Sequence, residues 1–410
     1  MKKFTIYLLI PVLMLTACKK SLLELPNPNQ PTPDGSLVTE AGILAFADGI
    51  YYKWRSGGTY FLYTWAMESN MGDEDFSPYS NWGGRYPANI NTITLPPPYN
   101  TVIPNPSGFD QLGMLRSVNS RAATDGNSIQ YAWACFYGMI SQANTLLTAL
   151  DDSKLTLSGD ANTKKKLMQA WAYFWRGYSY SRLGSLYIAG TINDNLDSAA
   201  QYLTSNVFVS HDKVIANANT NFDKAIAIFG GLTENADYDA TFKAIVPNFN
   251  LNTQIITPAM WVRLMNTYKA RNFLANHKVK DMTAADWTTI STLAGTGLTK
   301  GDYTLVWGMA PGGVNDLSGS TGHPISQCTP KGSGLTYVSE RLIQDIQPGD
   351  KRFTKGFTPF TGSPIVNVLS RGIQFGTRYV PVEIANGGLY GSDQFLGTTQ
   401  VGATGVVPRN

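Results

Sequence analysis

The sequence predicts a mainly α fold, with helical pairs, long irregular loops and a few short strands. Three observations predict it. Apolar residues recur at three- and four-residue steps over several long windows. Stretches rich in Gly, Pro, Ser and Asn separate those windows. The extended pieces are short and fall late in the chain, at 365–369 and 377–382, where they are expected to pair as strands.

Residues 39–54 place Ile43, Phe46, Ala47, Ile50 and Tyr51 on one helical face. Residues 60–70 form a second apolar run, read as a further helix. Residues 72–125 read as a long irregular stretch containing Asn81-Trp82-Gly83-Gly84-Arg85 and two proline clusters. Segments of that length inside compact domains are usually functional or disordered. Residues 128–150 are a strong helix carrying Trp133, Phe136 or Tyr137, Ile140, Ala143, Leu147 and Leu150 at the helical step. Residues 163–186 are another, with Leu167, Ala170, Trp171, Phe174 and Tyr178 on one face and Gly184 as its expected stop. The link at 151–162 is short enough for an antiparallel pair. A second pair is expected from 217–230, burying Phe222, Ala225, Ile226 and Phe229, and from 257–276, opened by Thr257-Pro258 and burying Trp261, Leu264, Met265 and Tyr268. Pairs of this kind cannot bury their faces alone and must stack, as tetratricopeptide units do. A generic helical bundle fits the irregular period equally well. A last helix is expected at 336–346, and 397–410 carry no periodicity.

The N-terminus reads as an export signal. Met1-Lys2-Lys3 precedes an apolar run from Phe4 to Leu15, too short for a stable membrane span. Thr16-Ala17-Cys18 is similar to a bacterial lipoprotein cleavage box, with Cys18 as the lipid attachment site. Each buried methylene of an acyl chain contributes ~0.8 kcal/mol, so two or more chains anchor stably. Residues 19–33 read as a tether, since Leu25 to Pro33, with its repeated prolines, cannot form a helix and should be extended. The expected organisation is a signal over 1–17, a lipidated Cys and tether over 18–35, and one domain over 36–410 with helical pairs at about 128–186 and 217–276.

Composition narrows the function. The net charge is +3, two of those charges lie in the signal, and no clustered basic face points to nucleic acid. Charged residues make up 15%, below the ~25% of an average domain, while aromatics reach 12%. A neutral hydrogen-bonding surface with aromatics suits uncharged polar ligands such as sugars, and is also common among exported proteins. With Cys18 assigned to the anchor, Cys135 reads as a small core residue and Cys328 sits in a loop. A disulfide between them is compatible with an oxidising compartment, but their spacing does not favour it.

Catalytic patterns are missing from the sequence. His211, His277 and His323 lack metal-ligand spacing, and no HExxH, CxxC, P-loop, GxGxxG or GxSxG element is present. Asp73-Glu74-Asp75 is an acidic cluster in an irregular region. It would suit calcium, or supply one glycosidase carboxylate with Asp302 or Asp316 as partner. A solvated or helix-capping role is the simpler reading, and no cofactor is expected.

The order of these parts resembles the SusD/RagB family, surface lipoproteins that capture nutrients for TonB-dependent transporters in Bacteroidetes. The resemblance is carried by Tyr131, Trp133, Tyr137, Ile140 and Ala143-Asn144. It continues through the run from Ala170 to Tyr178 with Arg176, and through Leu183-Gly184. Phe222-Asp223-Lys224-Ala225-Ile226, Ala270-Arg271 and Asp350-Lys351-Arg352 complete it. It covers residues 18–353. Family members usually run about a hundred residues further, which leads to the expectation of a C-terminally incomplete chain. Lys19-Lys20 lacks the acidic run often linked to surface export.

The resemblance implies binding and hand-over without catalysis. The partners it implies are a SusC/RagA-like TonB-dependent transporter, a glycan ligand and the outer membrane through the lipid anchor, with the protein facing outside. Its peptide-importing branch, and a transporter lid with no soluble ligand of its own, are the alternatives. Sugar rings stack on flat aromatic side chains while amides and charged groups bond their hydroxyls. Two regions supply such groups: Tyr79, Asn81, Trp82 and Arg85 in the first irregular stretch, and Tyr303 and Trp307 in 302–313. These six are the candidate ligand-binding residues. Trp133, Trp171, Trp175 and Trp261 are expected in the helical core.

Overall fold

The computed structural model describes residues 33–56, 68, 71–72, 74–76, 92–104, 111–120, 122–123, 127, 129–194, 208–246, 255–302, 337–359, 365–368, 373–376 and 378–381. In chain order the elements begin with α1 (Pro33–Ser36), α2 (Glu40–Ser56), β1 (Asp75–Phe76), β2 (Thr92–Leu95), β3 (Thr101–Pro104) and α3 (Gln111–Val118). Next come α4 (Gln130–Leu150), α5 (Ala161–Leu186), β4 (Ala189–Gly190), β5 (Val209–Ser210), α6 (His211–Gly230) and α7 (Ala236–Ile245). They are followed by α8 (Pro258–Ala275), α9 (Ala284–Gly295), β6 (Tyr337–Val338), α10 (Glu340–Asp345) and α11 (Lys351–Gly356). The last are β7 (Phe357–Pro359), β8 (Ile365–Val368), β9 (Ile373–Gly376) and β10 (Tyr379–Pro381). The fold is mainly α, as expected.

The core lies among α2, α4, α5, α6 and α8. Contacts fix the helix directions. Trp133 near the start of α4 meets Tyr187 just past the end of α5 at 5.1 Å, so α4 and α5 run antiparallel. Phe229 stacks on Trp261 at 5.4 Å and Phe222 on Tyr268 at 5.8 Å, which sets α6 antiparallel to α8. Helix α5 is the axis. Its Trp171, Phe174 and Trp175 are fully buried, and Phe174 lies 4.9 Å from Trp261. Each such buried side chain contributes roughly 1.5–3 kcal/mol. Trp171 also donates its indole N–H to the Ala47 carbonyl at 2.8 Å, tying α2 to α5. Trp261 is fully buried as expected, and Trp133 is half-buried at the edge of the same core. Cys135 is a buried core residue; Cys328 lies outside the described residues.

The structure corrects several expectations. Gly184 does not stop α5, which continues to Leu186. A Cβ at Gly184 would meet Ile215 at 2.8 Å, and one at Gly177 would meet Phe222 at 2.7 Å. Both glycines are therefore places where α6 comes close. Helix α6 starts at His211 rather than Asn217, because Val214 and Ala218 extend its buried face. The link expected between the members of the second pair contains α7, capped by Asn235 and packed through Tyr238, Phe242 and Ile245. Helix α9 was not anticipated; it begins with a reciprocal Thr283–Asp286 capping box and has no fully buried residue. The stretch read as irregular, 72–125, holds β1, the β2–β3 hairpin and α3. The first residues of the helix expected at 336–346 form β6, and only α10 is helical. The two late pieces are strands, but not each other's partners: β8 pairs with β9, and β10 pairs with β7. Pro33, read as tether, opens α1. Of the apolar run at 60–70, only Glu68 is among the described residues.

Candidate functional site

Each of the six candidate ligand-binding residues, Tyr79, Asn81, Trp82, Arg85, Tyr303 and Trp307, lies outside the described residues, as does Cys18. The described residues on either side of them set where those two segments begin and end. Segment 77–91 leaves β1 at Phe76 and enters β2 at Thr92; segment 303–336 follows Asp302 and ends at Tyr337, the start of β6.

Two of these boundaries, Phe76 and Tyr337, meet. β1 and β6 pair antiparallel, with Asp75 opposite Val338 and Phe76 opposite Tyr337. The Ser339 amide extends the ladder by donating to the Glu74 carbonyl at 3.2 Å. Thus the residue before one segment is laddered to the residue after the other, although 261 positions separate Phe76 from Tyr337 in sequence. The far boundary of the first segment is tied to the same place, because Gln344 of α10 donates to the Thr94 carbonyl of β2 at 2.9 Å. Beneath β2, Ile93, Leu95 and Ile103 make a small core of their own, separate from the helical one.

Asp302 holds the remaining boundary. Its carboxylate, 3% exposed, receives both Nε and Nη2 of Arg263 on α8, the first at 2.7 Å. It also accepts from the Thr299 amide at 2.7 Å and the Thr299 hydroxyl at 3.0 Å. The Arg263 guanidinium holds this carboxyl well below the usual carboxylate range. A carboxylate engaged in this way positions backbone and is not free for acid–base chemistry. Asp73 and Asp316 lie outside the described residues, and Glu74 is exposed. Among the described residues no group of three or more His, Cys, Asp or Glu could hold a metal ion. Among them, too, no helix is long and apolar enough to cross a membrane.

Three of the residues that carried the family resemblance, Tyr137, Asn144 and Arg176, fall elsewhere, in a polar network of the helical body. Arg176 of α5 is 3% exposed and donates to Asn221 Oδ1 at 2.6 Å, to Asn144 Oδ1 at 2.8 Å and to the Asp194 carbonyl at 3.1 Å. Asn144 in turn donates to the Asn193 carbonyl at 2.6 Å. Tyr180 accepts from the Asn193 amide at 2.7 Å, and burial pushes its phenol well above the usual value. Tyr137 accepts from the Thr191 amide at 2.7 Å and donates to the Thr191 carbonyl at 2.9 Å. One arginine and two asparagines therefore bind α4, α5 and α6 to one another and to the chain at 193–194, and Tyr137 adds Thr191. Asp223 pairs with Lys269 at 2.6 Å, Arg271 donates to Ser185 at 3.1 Å, and Asp350 pairs with Arg352 at 2.6 Å while capping α11. These motifs organise the scaffold.

A family model for SusD-like proteins, described as starch-binding and associating with the outer membrane, matches residues 86–225. That range includes Asn144, Arg176 and Asn221. Over those residues the chain is similar to the SusD-like family, the one its motifs resemble. A solved structure of a SusD-like carbohydrate-binding protein from Bacteroides vulgatus is similar at 11% identity and a TM-score of 0.27. It covers 55% of this chain, which spans only 46% of that one. No curated protein matches the chain.

Sequence reasoning did not reach the meeting of β1 with β6 or the contact of Gln344 with β2. Two-residue strands have no period to detect. The one legible sign was Ser339, a serine N-cap before Glu340, whose hydroxyl accepts from the Arg341 amide at 3.3 Å.

Proposed function

We propose that this chain is a lipid-anchored outer-membrane protein that binds an oligosaccharide or polysaccharide and passes it to a TonB-dependent transporter. Binding, not catalysis, is its role. Cys18 carries the lipid, residues 18–35 form the tether, and residues 36 onward form a single domain exposed on the outside of the cell. Trp82 and Trp307 provide flat faces for sugar rings, with Tyr79, Asn81, Arg85 and Tyr303 around them.

The observation that supports the site most directly is the ladder between Phe76 and Tyr337. It brings one end of each segment together, Phe76 against Tyr337, which supports a site that draws on both. The family description, starch-binding with outer-membrane association, supports the ligand class and the location.

The test is calorimetric titration of the chain beginning at Lys19 against soluble starch and a panel of other polysaccharides. Binding to a glycan, weakened at least tenfold by Trp82→Ala or Trp307→Ala, is the expected result. A folded protein that ignores every glycan contradicts the reading. Incorporation of labelled palmitate, lost in Cys18→Ser, checks the anchor separately.

A further inference from the structure

Where α8 packs against the last turns of α5, two arginines sit at a seam that neutral side chains already close. Asn272 of α8, wholly buried, donates to Ser181 of α5 at 2.8 Å and to Asn219 of α6 at 3.0 Å. Asn276, just past α8, donates to Ser185 Oγ of α5 at 3.2 Å. At this seam α5 places Arg182, three residues before Ser185 and so on the same helix face. Helix α8 places Arg271, which donates to Ser185 Oγ at 3.1 Å and to Asn272 Oδ1 at 3.4 Å.

The charges do not balance. Arg182 pairs with Glu68, and its side chain is 20% exposed. The pairing is end-on, because Arg182 Nε and Glu68 Oε1 are both buried without a hydrogen-bond partner. Among the described residues no carboxylate pairs with Arg271. Burial, and then the like charge of Arg271, lower the Arg182 guanidinium to about 10. Both guanidinium charges also act on the Tyr268 phenol, which sets them beside one ring of α8.

Two guanidinium groups therefore share one carboxylate. Stability alone does not call for this: like charges gathered away from water are unfavourable, and a buried donor without an acceptor costs further. A second anion removes both costs. It would accept from Arg182 Nε and offset the charge of Arg271. Ser185 Oγ already accepts twice, which leaves its hydroxyl proton to donate. The guanidinium fork matches the geometry of an oxyanion.

We propose that Arg182, Arg271 and Ser185 form a binding site for a single oxyanion group, a sulfate, phosphate or carboxylate, with Glu68 as the internal competitor for Arg182. The site uses none of the six residues proposed to contact the glycan and does not depend on that reading.

The experiment titrates the full chain with sodium sulfate, sodium phosphate and sodium glucuronate by calorimetry, with sodium chloride holding the ionic strength constant. The three probes separate a tetrahedral anion from the carboxylate of an acidic sugar. Arg182→Gln disturbs a buried side chain, so the test rests on Arg271→Gln, Ser185→Ala and Glu68→Gln, each shown to be folded by its thermal midpoint. Arg352→Gln, at an arginine 89% exposed on α11, controls for charge alone. At least one anion should bind saturably, and Arg271→Gln should weaken it at least about tenfold. Ser185→Ala should weaken it less, Glu68→Gln should tighten it, and Arg352→Gln should leave it unchanged. Binding seen only in Glu68→Gln also supports the site, with Glu68 as its occupant. No saturable binding in either wild type or Glu68→Gln overturns the proposal, as does equal affinity in wild type and Arg271→Gln. Equal weakening in Arg271→Gln and Arg352→Gln overturns it too, since net charge would then be the cause. Affinity that Glu68→Gln fails to raise overturns the competitor role.

Discussion

The helical body and the strand cluster around α10 are built on opposite principles. In the body, long helices bury wide aromatic faces: Trp171, Phe174, Trp175, Phe222 and Trp261 are almost wholly inaccessible. Several of its polar residues, Arg176, Asn144, Asn221 and Asn272 among them, are paired across helices, and two glycines bring α5 and α6 close together. The strand cluster has ladders of two to four residues, one apolar core of three residues, and a buried carboxylate, Glu340, paired with Arg378. Short ladders contribute little cooperative stability of their own. Under the proposed function, the difference separates the work of staying folded, done by the helical body, from the work of presenting the ligand segments, done by the strand cluster. Elements that serve binding are commonly drawn from the less stable end of a structure.

That contrast can be broken or sharpened by substitution. Trp171→Ala should have the largest effect, about 3–5 kcal/mol of lost stability, since it removes a buried ring and the tie to Ala47. Denaturant unfolding measures it, and glycan affinity at a temperature where the variant is folded should not change. Gly177→Ala should cost about 1–3 kcal/mol, because the new methyl would sit 2.7 Å from Phe222 in a packed helix pair. An unfolding midpoint equal to wild type would show that α6 gives way more easily than the packing implies.

Acid offers a gentler probe of the body. Lys164 hydrogen-bonds Glu40 at 2.6 Å and, with the Ser158 amide, lowers the Glu40 carboxyl from 4.5 to about 2. A carboxylate with a depressed folded value adds stability above its unfolded value and loses it as pH falls toward the folded one. Stability should therefore decline between about pH 4.5 and pH 2. Glu40→Gln should flatten that part of the curve, read as unfolding midpoint against pH. The smallest effect is expected from Trp287→Ala: this ring is 44% exposed on α9, so the change should stay within about 0.5 kcal/mol. A larger loss would mean that α9 is part of the body after all.

Legibility in the sequence follows the same division. Helices α4, α5 and α8 were readable because Trp133 to Leu150, Leu167 to Tyr178 and Trp261 to Tyr268 keep the helical period over about five, three and two turns. Helix α7 carried a readable signal too, in Asn235 followed by Tyr238, Phe242 and Ile245, but its ten residues were absorbed into an expected link. Helix α9 showed only its capping pair, since a helix without a buried face has no strong apolar stripe. Gly184 was misread because a glycine near a helix end serves equally as a stop or as a close-approach site, and only Ile215 decides which. The strand cluster was the least legible part. Phe76 and Tyr337 lie far apart in the chain, and nothing local in either announces the other. The link from Glu340 to Arg378 is hidden for the same reason.

The most direct test of the division between body and strand cluster is a map of hydrogen-exchange protection on adding a glycan that the protein binds. The account predicts protection at 75–95 and 302–345, with α4, α5 and α6 unchanged. Protection confined to α4, α5 and α6 would contradict it and place recognition on the helical body.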